Sequence, residues 1–191
     1  MDTKKIIQAM DYFACGQDDK AIDNMKAYKL LWLADRWHLR QYGRTVSGDE
    51  YHALPYGVVP SDAKCILEGY RTKLQNNPKE TSDYLCVLKG HRYASHQAPD
   101  MSVFSESDRE ALALILKNYN KYSALELSEI SHTFPEWKYY EKKLRDSSLK
   151  NGYKIDMNLF FENKDDSSHL FNDPDELLSL TKAVYNQYKG C

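Results

Sequence analysis

Three ionisable residues lie close together in an otherwise apolar stretch, and they form the densest group that could do chemistry. Asp35, Arg36 and His38 fall within four positions of one another. In a helix, Asp35 and His38 are three residues apart, so their side chains can meet. A carboxylate that orients a histidine is the arrangement of a general base. A buried acid also needs a partner to offset its desolvation. A structural pair or network is therefore the first interpretation, partner binding the second and catalysis the third.

Other catalytic and ligand-binding patterns are missing from the sequence. There is no Gly-x-Ser-x-Gly nucleophile turn and no glycine-rich phosphate loop. Metal sites commonly show His-x-x-x-His or Cys-x-x-Cys spacing. Neither spacing occurs around the four histidines that residue type alone would allow as ligands, which are His52, His91, His96 and His132. We predict no catalytic residues, no cofactor and no metal, and thus a protein that is not an enzyme.

The spacing of apolar residues predicts a mainly helical (α+β) domain with a small antiparallel sheet or hairpin. Asp23 or Asn24 can cap a central helix that is apolar on two sides and stops near Gly43. Capping boxes are indicated at Ser107-x-x-Glu110 and Ser123-x-x-Glu126. Helices are predicted at 4–14 and 24–40, then from Ser61 as the capping residue (with Tyr70 and Leu74 on the inner face), from Ser105 or Ser107, from Ser123 to His132, from Pro135, and from Asp173-Pro174.

The strands are less clearly marked than the helices. Residues 45–54 fit a short strand or a hairpin whose turn is Ser47-Gly48-Asp49, followed by a loop at 55–60. A strand is predicted at 84–88, and alternation at 155–161 indicates an edge strand. Residues 76–82 are predicted as a polar loop, and 90–100 receive no firm assignment.

Composition restricts the classes of function. The 191 residues carry a net charge of −2, which is unusual for a general nucleic-acid binder. No apolar run approaches the roughly 20 residues that span a membrane, and the N-terminal segment has no long apolar core. Cys15, Cys65, Cys86 and Cys191 are far apart, and we expect free thiols and a cytoplasmic location.

Tyrosine is unusually frequent, with 15 residues. Its large ring and polar end favour protein interfaces. Tyr139-Tyr140 and the pair Tyr185 and Tyr188 are the candidates for contact with a partner.

The central helix also carries a family resemblance. Residues 29–39, followed by Tyr42-Gly43, resemble the signature helix of the Panacea family of SocA-like antitoxins, which also occurs in phage-associated proteins. The similarity continues in residues 47–53 and 57–61, and more weakly from Leu127 to Trp137. One departure is Gly57-Val58-Val59, where the family usually has Gly-Pro-Val.

The resemblance implies a Panacea domain over residues 1–150, with a C-terminal extension, 151–191, packed on the same domain. It implies an antitoxin that neutralises a cognate toxin, encoded nearby, by direct binding. The alternative is an adaptor that delivers the toxin to a Clp-type protease, or a phage-associated interaction protein. The contact surfaces are expected at 51–61 and in the C-terminal part. The signature residues, structural or partner-binding, are Asp35, Arg36, His38, Tyr51, Tyr56, Gly57, Pro60, Ser61, His132 and Trp137.

Overall fold

A computed structural model describes residues 3–69, 82–146, 152–164 and 170–189. Most of these residues are helical, and the strands form two small antiparallel sheets, which confirms the predicted fold class. Short 3-10 helices lie at Met101–Val103 and Met157–Phe161. The longer helices of these ranges are α1 (Thr3–Cys15), α2 (Asn24–Tyr42), α3 (Ser61–Gly69), α4 (Glu106–Tyr119), α5 (Ala124–His132), α6 (Pro135–Asp146) and α7 (Asp175–Lys189).

Helix α2 is the centre of the molecule. The Asp23 side chain accepts hydrogen bonds from the N–H groups of Met25 and Lys26, which settles the choice of cap. Gly43 ends the helix in the left-handed conformation, with φ of 72°, and donates to Leu39 O. Helices α1, α4, α5 and α7 all pack on α2. Because α2 is surrounded in this way, its apolar stripes on both sides are buried, as the sequence predicts.

The strands build two separate three-stranded sheets. In the first sheet β1 (Ala21–Asp23) and β4 (Leu85–Val87) flank β5 (Arg92–Ser95), a strand that the sequence did not indicate. In the second sheet β3 (Gly57–Pro60) and β6 (Tyr153–Lys154) flank β2 (Tyr51–Leu54).

The predicted loop at 55–60 is wrong, because residues 57–60 form strand β3. Strands β2 and β3 pair from Tyr51 with Pro60 to Leu54 with Gly57. The hairpin turn is therefore the two residues Pro55-Tyr56, and not Ser47-Gly48-Asp49. A two-residue connection suits a tight hairpin, and Pro60 is tolerated because it ends a strand at the edge of the sheet.

Two further local predictions are corrected. Residues 157–161 form a 3-10 helix instead of an edge strand: Phe160 and Phe161 are both buried, so strict alternation fails. Ser105, and not Ser107, caps α4, with Asp108 completing the box. The second box, at Ser123 and Glu126, is confirmed.

Some predictions cannot be compared with the structure. Tyr70, Leu74 and positions 76–81 of the predicted loop lie outside the described residues.

Within the described ranges, the C-terminal part packs on the rest of the chain: β6 pairs with β2 and α7 packs on α2, while Phe160, Phe161, Phe171 and Leu178 join the core. No described helix has the length and apolar character needed to cross a membrane.

Candidate functional site

Asp35 is completely buried and fastens the segment after α2 to that helix. Its carboxylate accepts hydrogen bonds from the backbone N–H groups of Val46 (2.8 Å) and Ser47 (2.9 Å). The hydroxyls of Ser47 and Tyr51 donate to the same carboxylate, the latter at 2.7 Å. Burial raises the pKa of Asp35, and these hydrogen bonds oppose the rise. This set of donors satisfies the acid without a histidine.

His38 does not contact Asp35 in the way that the three-residue spacing predicted. Its Nδ1 lies 2.7 Å from Arg44 O, and its Nε2 lies 3.0 Å from Ser107 Oγ. Asp108 is 3.3 Å from the same Nε2. His38 therefore ties the end of α2 to the start of α4. The predicted pair of Asp35 and His38 is wrong because each side chain finds its partners in a different neighbouring segment.

Arg36 joins α2 to α6 and to the C-terminal part of the chain. Its Nε donates to Glu136 Oε1 at 2.9 Å, and both side chains are buried. Its guanidinium carbon lies 4.9 Å and 5.2 Å from the ring centres of Phe134 and Phe171. The charge of Arg36 is thus paired with a buried acid and lies against two adjacent aromatic rings. Arg36 is therefore part of the scaffold.

Asp49 performs the capping role that the sequence assigned to Ser61. Its two carboxylate oxygens accept from the N–H groups of Asp62 and Ala63, each at 2.8 Å, at the start of α3. Ser61 Oγ instead lies 2.6 Å from His52 Nδ1. Burial raises the pKa of Asp49 to about 7. Asp49 lies 13 positions before Asp62, the first residue whose N–H group it caps. A local sequence pattern could not reveal a cap at this distance.

The tip of the β2–β3 hairpin is held by side chains from three helices. Trp137 Nε1 donates to Leu54 O (2.8 Å), and Ser128 Oγ donates to Tyr56 O (2.8 Å). Lys29 Nζ donates to Val58 O at 2.7 Å. The ring of His132 stacks on Trp137, with 3.8 Å between the ring centres. Backbone oxygens are thus fixed on both sides of the turn.

Gly57 allows this close approach between the hairpin and the helices. Its φ is 96°, a conformation that other residues rarely adopt. A Cβ at this position would lie 1.8 Å from Ser131 Oγ and 2.6 Å from Lys29 Nζ. Any side chain here would have to displace α5 or the buried lysine.

The side chain of Tyr56 points away from this support and is 67% exposed. Leu125, Ser128, Glu129 and His132 recur at helical spacing along one face of α5. Ser128 binds the tip, and Leu125 and Glu129 are exposed on the same face of α5. We group the exposed residues Tyr56, Leu125 and Glu129, which combine apolar and acidic side chains, as the tip surface.

The other predicted interface tyrosines divide into two groups. Tyr139 and Tyr188 are among the exposed aromatic residues. Tyr140 is buried and its hydroxyl accepts from the Asp156 N–H, whereas Tyr185 is half-buried against Phe161. Of the signature residues, Tyr51 and Pro60 are also buried.

An open cleft of about 540 Å³ lies at the opposite end of β2 from the tip. Its wall includes the segment from Thr45 to Tyr51 and residues of β6, α6 and α7. The side chains most relevant to binding are Asp49, Glu50, Tyr140, Lys154, Asp156 and Tyr185.

The described residues contain no cluster of metal-type ligands, and their cysteines are unpaired. Within residues 3–69, 82–146, 152–164 and 170–189, no three His, Cys, Asp or Glu side chains are grouped so that they could hold a metal ion. Cys15, Cys65 and Cys86 are free thiols, as predicted, and Cys191 lies outside the described residues.

Sequence reasoning found one of the three side chains that bind the tip, Trp137. It did not select Lys29 and Ser128, nor Ser131, whose hydroxyl lies against Gly57. Lys29 gives one usable signal: it is a lysine in a helix that is apolar on both sides. Burial lowers its pKa to about 7. The serines give none, because small hydroxyl residues are common in exposed helices.

Comparison with known proteins identifies the matched part of the chain. The model of a family described as antitoxin SocA-like, Panacea domain, matches residues 28–138. The match covers more than half of the chain and confirms the resemblance. It includes α2 from Tyr28 onward, the β2–β3 hairpin and every side chain that holds the tip. No curated protein and no solved structure gives a significant match.

Proposed function

We propose that this chain, which belongs to the family of SocA-like antitoxins with a Panacea domain, neutralises a cognate protein toxin by binding it directly. The observation that supports the proposal best is the tip surface, where Tyr56 is exposed on a turn whose backbone is held from three helices. In this proposal the role is non-enzymatic.

Pre-organisation is the physical reason for choosing the tip. A loop that is already rigid loses little conformational entropy when a partner binds, so more of the contact energy appears as affinity. Tyrosine has few rotatable bonds and a large ring with a polar end, and it is frequent among residues that dominate interfaces. An exposed tyrosine on a fixed turn is thus a suitable anchor.

The surroundings of Tyr56 indicate the chemistry of the partner. Leu125 is 64% exposed and adds apolar area. Glu129 and Glu126 are exposed acids of the same helix. A toxin surface that combines an apolar pocket with basic residues at its rim would complement this arrangement.

The buried charges of α2 are assigned a supporting role. Asp35 is sealed against the backbone of residues 46 and 47, and His38 is sealed at the start of α4. Neither side chain reaches solvent or the tip. In the proposed function they orient the segment that carries the hairpin, and no chemical step is assigned to them.

Co-expression tests the proposal. The product of each gene next to this one is expressed in cells with and without this chain, and growth is measured. We expect one product to arrest growth alone and to be harmless when this chain is present. If no neighbouring product is toxic, or if a toxic one stays toxic with this chain, direct neutralisation is contradicted.

Toxin half-life separates binding from the adaptor role. Direct neutralisation predicts the same toxin half-life with or without this chain, and a stable complex on size-exclusion chromatography. A half-life that this chain shortens in wild-type cells, but not in cells without Clp protease, would instead favour delivery for proteolysis.

A further inference from the structure

We propose that the cleft beside Asp49 and Tyr185 receives a basic side chain of the toxin and helps to select it as partner. This inference rests on the proposed function and adds a second contact site to the tip surface. It also commits to one occupant, an arginine or lysine side chain presented by the partner protein.

The walls of the cleft suit both parts of a long basic side chain. Tyr185 is only half-buried and offers aromatic surface, on which the planar guanidinium group of arginine stacks favourably. Tyr140 lines the cleft as a buried ring. The cleft of about 540 Å³ is within the usual range for ligand pockets. It can therefore take the whole side chain and not only its charged end.

The charges of the lining favour a cation. Glu50 and Asp156 contribute two exposed carboxylates, whereas Lys154 contributes a single ammonium. Asp49 also lines the cleft, but it is buried and both of its oxygens already cap α3. Lys154 Nζ already lies 2.6 Å from Glu50 Oε1 on an exposed part of the rim. Such an exposed pair is weak, so an arriving guanidinium can share or replace it at low cost.

The cleft combines the matched part of the chain with residues beyond it. Residues 45–51 lie within the family match at 28–138, whereas Tyr140, residues 154–157 and Tyr185 lie outside it. The matched part thus supplies one wall, and residues beyond the match supply the other.

A single partner can reach both sites. Strand β2 begins at the cleft with Tyr51, and the tip residue Tyr56 lies five positions further along the chain. At about 3.3 Å per residue this separation is about 16 Å, which is well within a standard protein interface. Helix α6 borders both, because Trp137 binds the tip and Tyr140 lines the cleft.

Solution NMR on the ¹⁵N-labelled chain tests the cleft without the toxin. The probe is N-acetyl-arginine amide, and the uncharged control is N-acetyl-norleucine amide. We expect the arginine compound to shift the amide signals of Glu50, Lys154 and Tyr185. Its binding should exceed that of norleucine by about fivefold or more, as expected for a favourable charge contact.

Two conservative variants identify the groups responsible. Glu50→Gln and Asp156→Asn remove a charge each, and asparagine can keep the capping bond of Asp156 to the Asn158 N–H. The double variant should lose the preference for arginine, whereas Glu129→Gln, an exposed acid of α5, should keep it.

Equal binding of both probes, shifts confined to other surfaces, or a double variant that behaves as the wild type would overturn the inference. The outcome differs from failure of the proposed function. If the double variant still neutralises the toxin as well as the wild type, the cleft has no role while neutralisation itself stands.

Discussion

Asp35 and Tyr56 lie in the same matched segment of the chain, yet their environments are opposite. Asp35 is completely buried and its hydrogen bonds are made to the protein itself. Tyr56 is 67% exposed, and only its backbone is bound, by Ser128. The comparison shows that a buried ionisable residue of the signature, Asp35, belongs to the scaffold, whereas an aromatic residue of the signature, Tyr56, is exposed on the tip surface.

Strand β2 connects these two regions. At its first residue, the Tyr51 hydroxyl donates to Asp35, and at its last residue, Leu54 O accepts from Trp137. A change at either end of the strand can therefore disturb the other through the backbone. The predictions below separate damage to the scaffold from loss of the surface.

Gly57→Ala should give the largest loss of stability. It adds a methyl group in contact with Ser131 and Lys29 to a residue with φ of 96°. Strain and overpacking together should lower the free energy of unfolding by roughly 2–5 kcal/mol, measured by urea denaturation. Gly90→Ala is the matched control: its φ is 77°, but no atom lies within 4 Å of the added group. Equal losses at the two positions would show that the tip is not tightly held.

Asp35→Ala should be nearly as damaging. It leaves two buried N–H groups and the Tyr51 hydroxyl without an acceptor. We expect a loss of roughly 2–4 kcal/mol, with a smaller loss for Asp35→Asn, which keeps one acceptor oxygen. A melting temperature unchanged by Asp35→Ala would contradict the assignment of Asp35 to the scaffold.

Lys29 should make stability depend on pH. Burial lowers its pKa from 10.5 to about 7. Between these values the unfolded chain holds a proton that the folded chain lacks, so stability rises with pH. From pH 7 to 9, wild type should gain about 2 kcal/mol relative to Lys29→Met, measured by urea denaturation at both pH values. Lys142→Met, at an exposed site, controls for general effects of pH. If the free energies of unfolding of wild type and Lys29→Met differ by the same amount at both pH values, the Lys29 amine stays hydrated in the folded protein and the prediction is contradicted.

The sequence predicted α2 well because its signals are local. Asp23 as a cap, Gly43 as a stop and two apolar stripes all lie within the helix or next to it. The second capping box, at Ser123, succeeded for the same reason. Features of this kind depend on hydrogen bonds between residues a few positions apart.

The hairpin and the partners of Asp35 depend on distant contacts, and here sequence reasoning failed. The prolines at 55 and 60 favoured a loop, but pairing with β2 and support from Lys29, Ser128 and Trp137 decide the conformation. Helical spacing offered His38 as the partner of Asp35, whereas the returning segment at 46–51 supplies better donors. The exposure of Tyr56 likewise follows from how α5 and α6 hold the turn.

The most direct test of the account is Tyr56→Ala in the neutralisation assay, with the toxin that the co-expression screen identifies. We expect an unchanged melting temperature and a toxin affinity at least about 30-fold weaker, as for loss of a central aromatic anchor. Tyr139→Ala, at an exposed tyrosine of α6, should keep most of the affinity. A Tyr56→Ala protein that is folded and neutralises the toxin as well as the wild type would contradict the central claim.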